Sequence, residues 1–103
     1  MDISELTAHM QAFVTAKGWY APTSLRPQTP RNIAISLNLE SAEILEHFQW
    51  GEEPRDPDGL PGELADVTLY LLQLAHVLNI DLEQAVLQKL AVNYGREWDS
   101  GVK

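Results

Sequence analysis

The sequence predicts an all-α fold, a four-helix bundle in a single domain spanning residues 1–103. In four stretches apolar residues recur at the spacing of an amphipathic helix. No stretch shows the sustained apolar/polar alternation of a strand. The segments between the four are marked by Pro and Gly, which punctuate chains at turns.

The first helix is predicted from about Ser4 to Ala16. Leu6, Met10, Phe13 and Val14 form its apolar stripe, and Gly18 stops it. A loop follows from Trp19 to Gln28, marked by Pro22 and Pro27. The second helix has Thr29 as N-cap and Pro30 at its first position, where the missing N–H does no harm. Its apolar positions are Ile33, Leu37, Leu39, Ile44 and Phe48. It is expected to reach Trp50, with Gly51 just past its end.

Residues 51–61 are acidic and rich in Pro and Gly, so they read as a loop. The third helix is predicted from near Pro61 to near Asn79. Leu64, Val67, Leu69, Leu71, Leu72, Leu74, Val77 and Leu78 wrap almost its whole circumference, and a helix apolar all round is expected to be buried. The fourth starts with Asp81 as N-cap and Gln84 three residues on, and runs to about Trp98. The short Asn79-Ile80 connection predicts that helices three and four are antiparallel neighbours. A single chain of 103 residues buries only a modest share of its surface and struggles to cover one helix on every side. The bundle is therefore expected to assemble as a homo-oligomer, with the third helix at or near an interface.

Composition narrows the function. The net charge is −8, from 15 acidic and 7 basic residues. Such a surface repels nucleic acid and anionic membranes, so neither is an expected partner. With no cysteine there is no disulfide, thiolate zinc site or Cys nucleophile. The opening Met1-Asp2-Ile3-Ser4-Glu5 has no basic start and no apolar core, so no signal peptide is expected. No apolar run is long enough to span a bilayer, and a cytoplasmic location is expected.

Against this background two carboxylate pairs stand out, Glu40-Ser-Ala-Glu43 and Glu63-Leu-Ala-Asp66. Residues three apart share a helix face, so each pair aims both acids one way. On the second helix, at about 100° per residue, Glu40 borders the stripe of Ile33, Leu37, Ile44 and Phe48. Beyond Glu43 lie Trp50, Leu39 and Ile35, so apolar residues flank the pair on both sides. Glu63 and Asp66 stand in the helix that is apolar all round. Carboxylates in such settings need a partner or they neutralise. A hard divalent cation such as Mg²⁺ suits four of them.

Other chemistry is thinner. His9, His47 and His76 form no Glu-x-x-His di-iron signature and no zinc motif; His47 lies near the Glu40/Glu43 face. No Gly-rich phosphate loop is present. Lys89, Asn93 and Arg96 form one polar strip on the fourth helix, suited to the oxygens of a polyphosphate or simply solvated. Trp19, Trp50 and Tyr70 are aromatic candidates for stacking on a base, or for packing.

These motifs together resemble a known family. Pro30-Arg31-Asn32, the run Glu40 to Trp50 ending Phe-Gln-Trp, Gly62-Glu63-Leu-Ala-Asp66 through Tyr70, and Lys89…Asn93…Arg96 are similar to the MazG-like all-α nucleoside triphosphate pyrophosphohydrolases. The likeness covers roughly residues 10–98 and is greatest to the short, dCTP pyrophosphatase-like members. It implies Mg²⁺-dependent hydrolysis of a (d)NTP to the monophosphate and pyrophosphate, with Mn²⁺ a possible substitute. It implies metal binding by Glu40, Glu43, Glu63 and Asp66, with Glu40 or Glu43 acting on the attacking water. It further implies base contacts from Asn32 and Trp50, and phosphate or sugar contacts from Tyr70, Lys89, Asn93 and Arg96. A homodimer or homotetramer is the implied assembly. Two positions depart from the pattern. Pro27-Gln28-Thr29 stands where dCTP-type relatives carry a His, which leaves base preference open. Arg96-Glu97-Trp98 replaces the usual Arg-Tyr-Pro. The alternative function is a non-catalytic helical oligomer that binds nucleotide or metal.

Overall fold

A computed structural model describes residues 1–97, and within them the chain forms four α-helices and no strand. They are α1 (Ile3–Ala16), α2 (Pro30–Glu46), α3 (Leu60–Val77) and α4 (Leu82–Gly95). Local capping chemistry sets most of their ends. The side chains of Asp2, Thr29 and Asp81 accept from the backbone N–H of Glu5, Asn32 and Gln84, at 2.8, 3.1 and 3.1 Å. Gly18 closes α1 with φ 74°, and Asn79 closes α3 with φ 57°. Both lie in the left-handed region that Gly and Asn tolerate best. The 6→1 bonds Trp19 N–H to Val14 O and Ile80 N–H to Ala75 O complete these ends.

The second helix ends earlier than its sequence suggests. It stops at Glu46, so Phe48 and Trp50 are not helical. The cause is non-local. His47 O accepts from Arg55 N–H at 2.9 Å, and His47 Nδ1 accepts from Asp56 N–H at 3.2 Å. These bonds turn the chain back where the helix would have continued. The fourth helix likewise ends at Gly95, followed by an extended Arg96. Trp98, its expected end, lies outside the described residues.

Helix α3 is the spine. It packs along α2 and, less extensively, on α1. Met10 and Val14 of α1 meet Leu72 of α3, with Ile3, Trp19 and Leu82 around them. Ile33 of α2 is 1% exposed and forms the most deeply buried point. As expected of one chain of this size, α3 is not covered on every side: among the described residues α2 and α1 pack on it, while Leu64, Leu69, Leu71 and Leu78 stay exposed. One expectation needs correction: α4 does not pack along α3 as a close antiparallel neighbour. It buries no residue and is anchored at its start by Leu82, while Val86, Leu87, Leu90 and Val92 are open. A short connection limits where a helix can go, but it supplies no contact area. The Cα radius of gyration is 17.0 Å, against the roughly 13 Å of a compact chain of this length. None of the described helices is long and apolar enough to cross a membrane.

Candidate active site

The α2–α3 packing brings the two carboxylate pairs together. The field at Glu40 shows it. Its carboxyl is held above the ordinary carboxylate pKa, first by burial, then by the charge of Glu43, then by that of Asp66, by a hydrogen bond with Glu43, and by the charge of Glu63. Glu43 from its own helix and Asp66 and Glu63 from α3 therefore all act on Glu40. Glu40 Oε2 is buried with no hydrogen-bond partner among the described residues. A buried acceptor left unmatched is destabilising and invites a ligand. Glu63 is half-buried, whereas Glu43 and Asp66 are exposed.

The donor set is hard oxygen, which fits Mg²⁺ or Mn²⁺ better than softer metals. Among the described residues, however, no three His, Asp or Glu side chains are gathered as a ready-made cage. The acids share a field without meeting at one point.

His47 supports this site from below. It is 3% exposed, and its Nε2 lies 2.5 Å from Glu63 Oε2. Because Nδ1 already accepts from Asp56 N–H, the ring proton sits on Nε2 and is donated to Glu63. The sequence put His47 near Glu40 and Glu43; the fold ties it to Glu63 instead.

Two cavities open beside the acids. One, of about 300 Å³, has Glu40 and Asp66 on its wall together with Phe13, Trp19, Tyr70 and Gln73. The other, of about 340 Å³, is lined by Arg26, Gln28 and Asn32, and again by Trp19, Tyr70 and Gln73. The three shared residues make the cavities adjoining compartments, one acidic and one lined by amides and aromatics. A third cavity, about 420 Å³, lies between α1 and the α3–α4 connection. It holds none of the predicted site residues, and volume alone is a poor guide to chemistry.

The predicted residues thus divide. Glu40, Glu43, Glu63, Asp66, Asn32 and Tyr70 are gathered around these compartments. The Asn32 side chain also ties the loop down, donating to Pro27 O at 3.0 Å. Trp50 is not brought in: it is 90% exposed on the turn after α2 and lines neither compartment. Lys89, Asn93 and Arg96 lie on or just after α4 and line none of the three cavities. Sequence reasoning missed Gln73. Its signal was an amide inside the most apolar helix of the chain.

The model of the MazG-like family matches residues 35–100, a stretch containing all four acids. The chain belongs to the MazG-like family. Its relatives include human dCTP pyrophosphatase 1, 40% identical over an alignment covering 65% of this chain and 45% of that protein. The mouse dCTP pyrophosphatase 1 is 37% identical with the same coverage. This MazG-like chain thus spans about half the length of the curated relatives it matches. A solved pyrophosphatase from Archaeoglobus fulgidus DSM 4304 is 35% identical, with a TM-score of 0.73 over 87% of this chain and 86% of that one.

Proposed function

We propose that this protein hydrolyses nucleoside triphosphates to the monophosphate and pyrophosphate with Mg²⁺, for which Mn²⁺ can substitute, and prefers dCTP-like substrates. Clearing unwanted nucleotides from the pool is the corresponding role. The observation that carries the reading is the unmatched Glu40 oxygen in the field of three other acids, in a family whose relatives include dCTP pyrophosphatases.

A bound divalent ion would reverse the local field and polarise a phosphate oxygen and a water. Glu40, Glu43, Glu63 and Asp66 are the residues that would hold it. Glu43 or Glu40 orients the attacking water and takes its proton as the water oxygen bonds to the α-phosphorus. The bond from that phosphorus to the α–β bridging oxygen breaks, and pyrophosphate leaves. His47 keeps Glu63 in place from behind. Trp19, Tyr70 and Asn32 flank the adjoining compartment, where the nucleoside is held.

Lys89, Asn93, Arg96 and Trp50 fit this reading through assembly. The open apolar residues of α3 and α4 favour a homodimer or homotetramer, in which a second copy supplies these groups to the phosphates and base. The decisive experiment incubates the protein with dCTP and Mg²⁺ and separates the products. Equal amounts of dCMP and pyrophosphate are expected. Phosphate as the sole inorganic product would sink the proposal. Tight nucleotide binding without any turnover would favour a non-catalytic nucleotide-binding oligomer.

A further inference from the structure

The compartment next to the acids contains a chain of amides whose direction is fixed at one end by the backbone. Gln28 Nε2 donates to Arg26 O at 2.6 Å. A carbonyl only accepts, so the Gln28 amide cannot be reversed without losing this bond. Its Oε1 is thereby turned to Gln73, whose Nε2 donates to it at 2.7 Å. The same Nε2 reaches Tyr20 Oη at 3.4 Å. Gln73 Nε2 thus has two acceptors, and among the described residues no donor reaches its Oε1. Gln73 is 2% exposed, so it has little freedom to rotate, and it lines both compartments.

A fixed acceptor on the wall of a nucleoside compartment is a selective device. Cytosine carries an amino donor at C4, whereas uracil and thymine carry a carbonyl acceptor there. Facing Gln73 Oε1, the amino group gains a hydrogen bond and the carbonyl meets a second acceptor. We infer that Gln73, held in one orientation through Gln28, is the residue that selects cytosine over uracil and thymine nucleotides. This rests on the pyrophosphohydrolase reading and names the determinant of its base preference. Gln28 then acts as the lock that keeps the Gln73 acceptor turned toward the base.

The test measures kcat/KM for pyrophosphate release from dCTP and dUTP with Mg²⁺, in the wild type, Gln73→Leu and Gln28→Leu. The wild type should favour dCTP about tenfold or more, the scale of one good base-edge contact. Gln73→Leu should bring the ratio close to one. Gln28→Leu should lower it chiefly by improving dUTP, because the freed amide can then present its N–H. Should Gln73→Leu fail to fold, Gln28→Leu carries the test from its half-buried loop position. The wild type can also be challenged with a dCTP analogue bearing hydrogen in place of the 4-amino group, expected to lose about the same factor. A ratio unchanged in the folded variants overturns the inference alone, whereas pyrophosphate release with no wild-type preference overturns it together with the proposed dCTP preference and leaves the pyrophosphohydrolase reading standing. No pyrophosphate from any nucleotide overturns the underlying reading and this inference with it.

Discussion

Two polar clusters sit side by side where α3 meets its neighbours, and they are matched to very different degrees. Around Gln73 the amides are paired in sequence from Arg26 O onward, and a single acceptor remains. Around Glu40 three other acids crowd its carboxyl, and among the described residues its buried oxygen has no partner. The first cluster is complete without a ligand and reads as a template. The second is strained by its own charge and becomes favourable only with a cation or a proton. In the acidic cluster stability and function therefore pull apart, and in the amide cluster they coincide.

The largest effect should come from breaking the acidic cluster. Glu63→Gln should abolish Mg²⁺-dependent pyrophosphate release while leaving a folded protein by circular dichroism. The loss should exceed the roughly 10–100-fold that changes behind the ligands produce. Wild-type turnover in this variant would remove Glu63 from the site. His47→Leu tests that supporting layer itself. It should weaken the Mg²⁺ activation constant by about 10–100-fold. His47→Gln, which keeps an N–H near Glu63, should recover part of the loss. Equal damage from both variants would make His47 a packing residue only.

A smaller effect separates proton from cation. The Glu40 pKa is raised in the folded state. Its contribution to stability is therefore fully present below its unfolded value, near the ordinary 4.5, and is lost as pH rises through the higher folded value. Metal-free protein should accordingly gain stability from this group as pH falls through its raised folded value toward the ordinary 4.5. Glu40→Gln should flatten that part of the melting profile. Mg²⁺ should reverse the trend by stabilising the ionised acids, by about 2.7 kcal/mol at a hundredfold excess over its dissociation constant. An unchanged melting temperature with Mg²⁺ at neutral pH would argue for solvated acids.

Much of this was legible in the sequence where the causes are local. The caps at Thr29 and Asp81 and the stop at Gly18 depend on a few adjacent residues, and each is found as read. The i, i+3 spacing put each acid pair on one face before any fold was known. The end of α2 was not legible, because Arg55 and Asp56 set it from eight and nine residues away. That shift carried Trp50 off the helix, and with it the shared face that would have placed Trp50 beside Glu43. Gln73 was invisible for a similar reason: its partners Gln28 and Tyr20 lie 45 and 53 residues earlier. The bare flank of α4 could not be foreseen from apolar content, which does not say whether cover comes from the same chain.

The smallest expected effect probes the matched cluster. Tyr20 Oη is a distant acceptor at 3.4 Å, while the Gln28 bond is short at 2.7 Å. Tyr20→Phe keeps the ring and removes only the long bond. One Gln73 N–H then loses a weak partner, but the Arg26–Gln28 end still sets the amide's direction. A stability loss of about 0.5 kcal/mol or less is expected, the low end for a single hydrogen bond. Chemical denaturation can resolve that change. The dCTP to dUTP ratio should stay near the wild-type value, because the lock lies on the other side of Gln73. A collapse of the ratio in Tyr20→Phe would move the lock from Gln28 to Tyr20, and the polarity of the cluster would then be set by a rotatable hydroxyl rather than by the backbone.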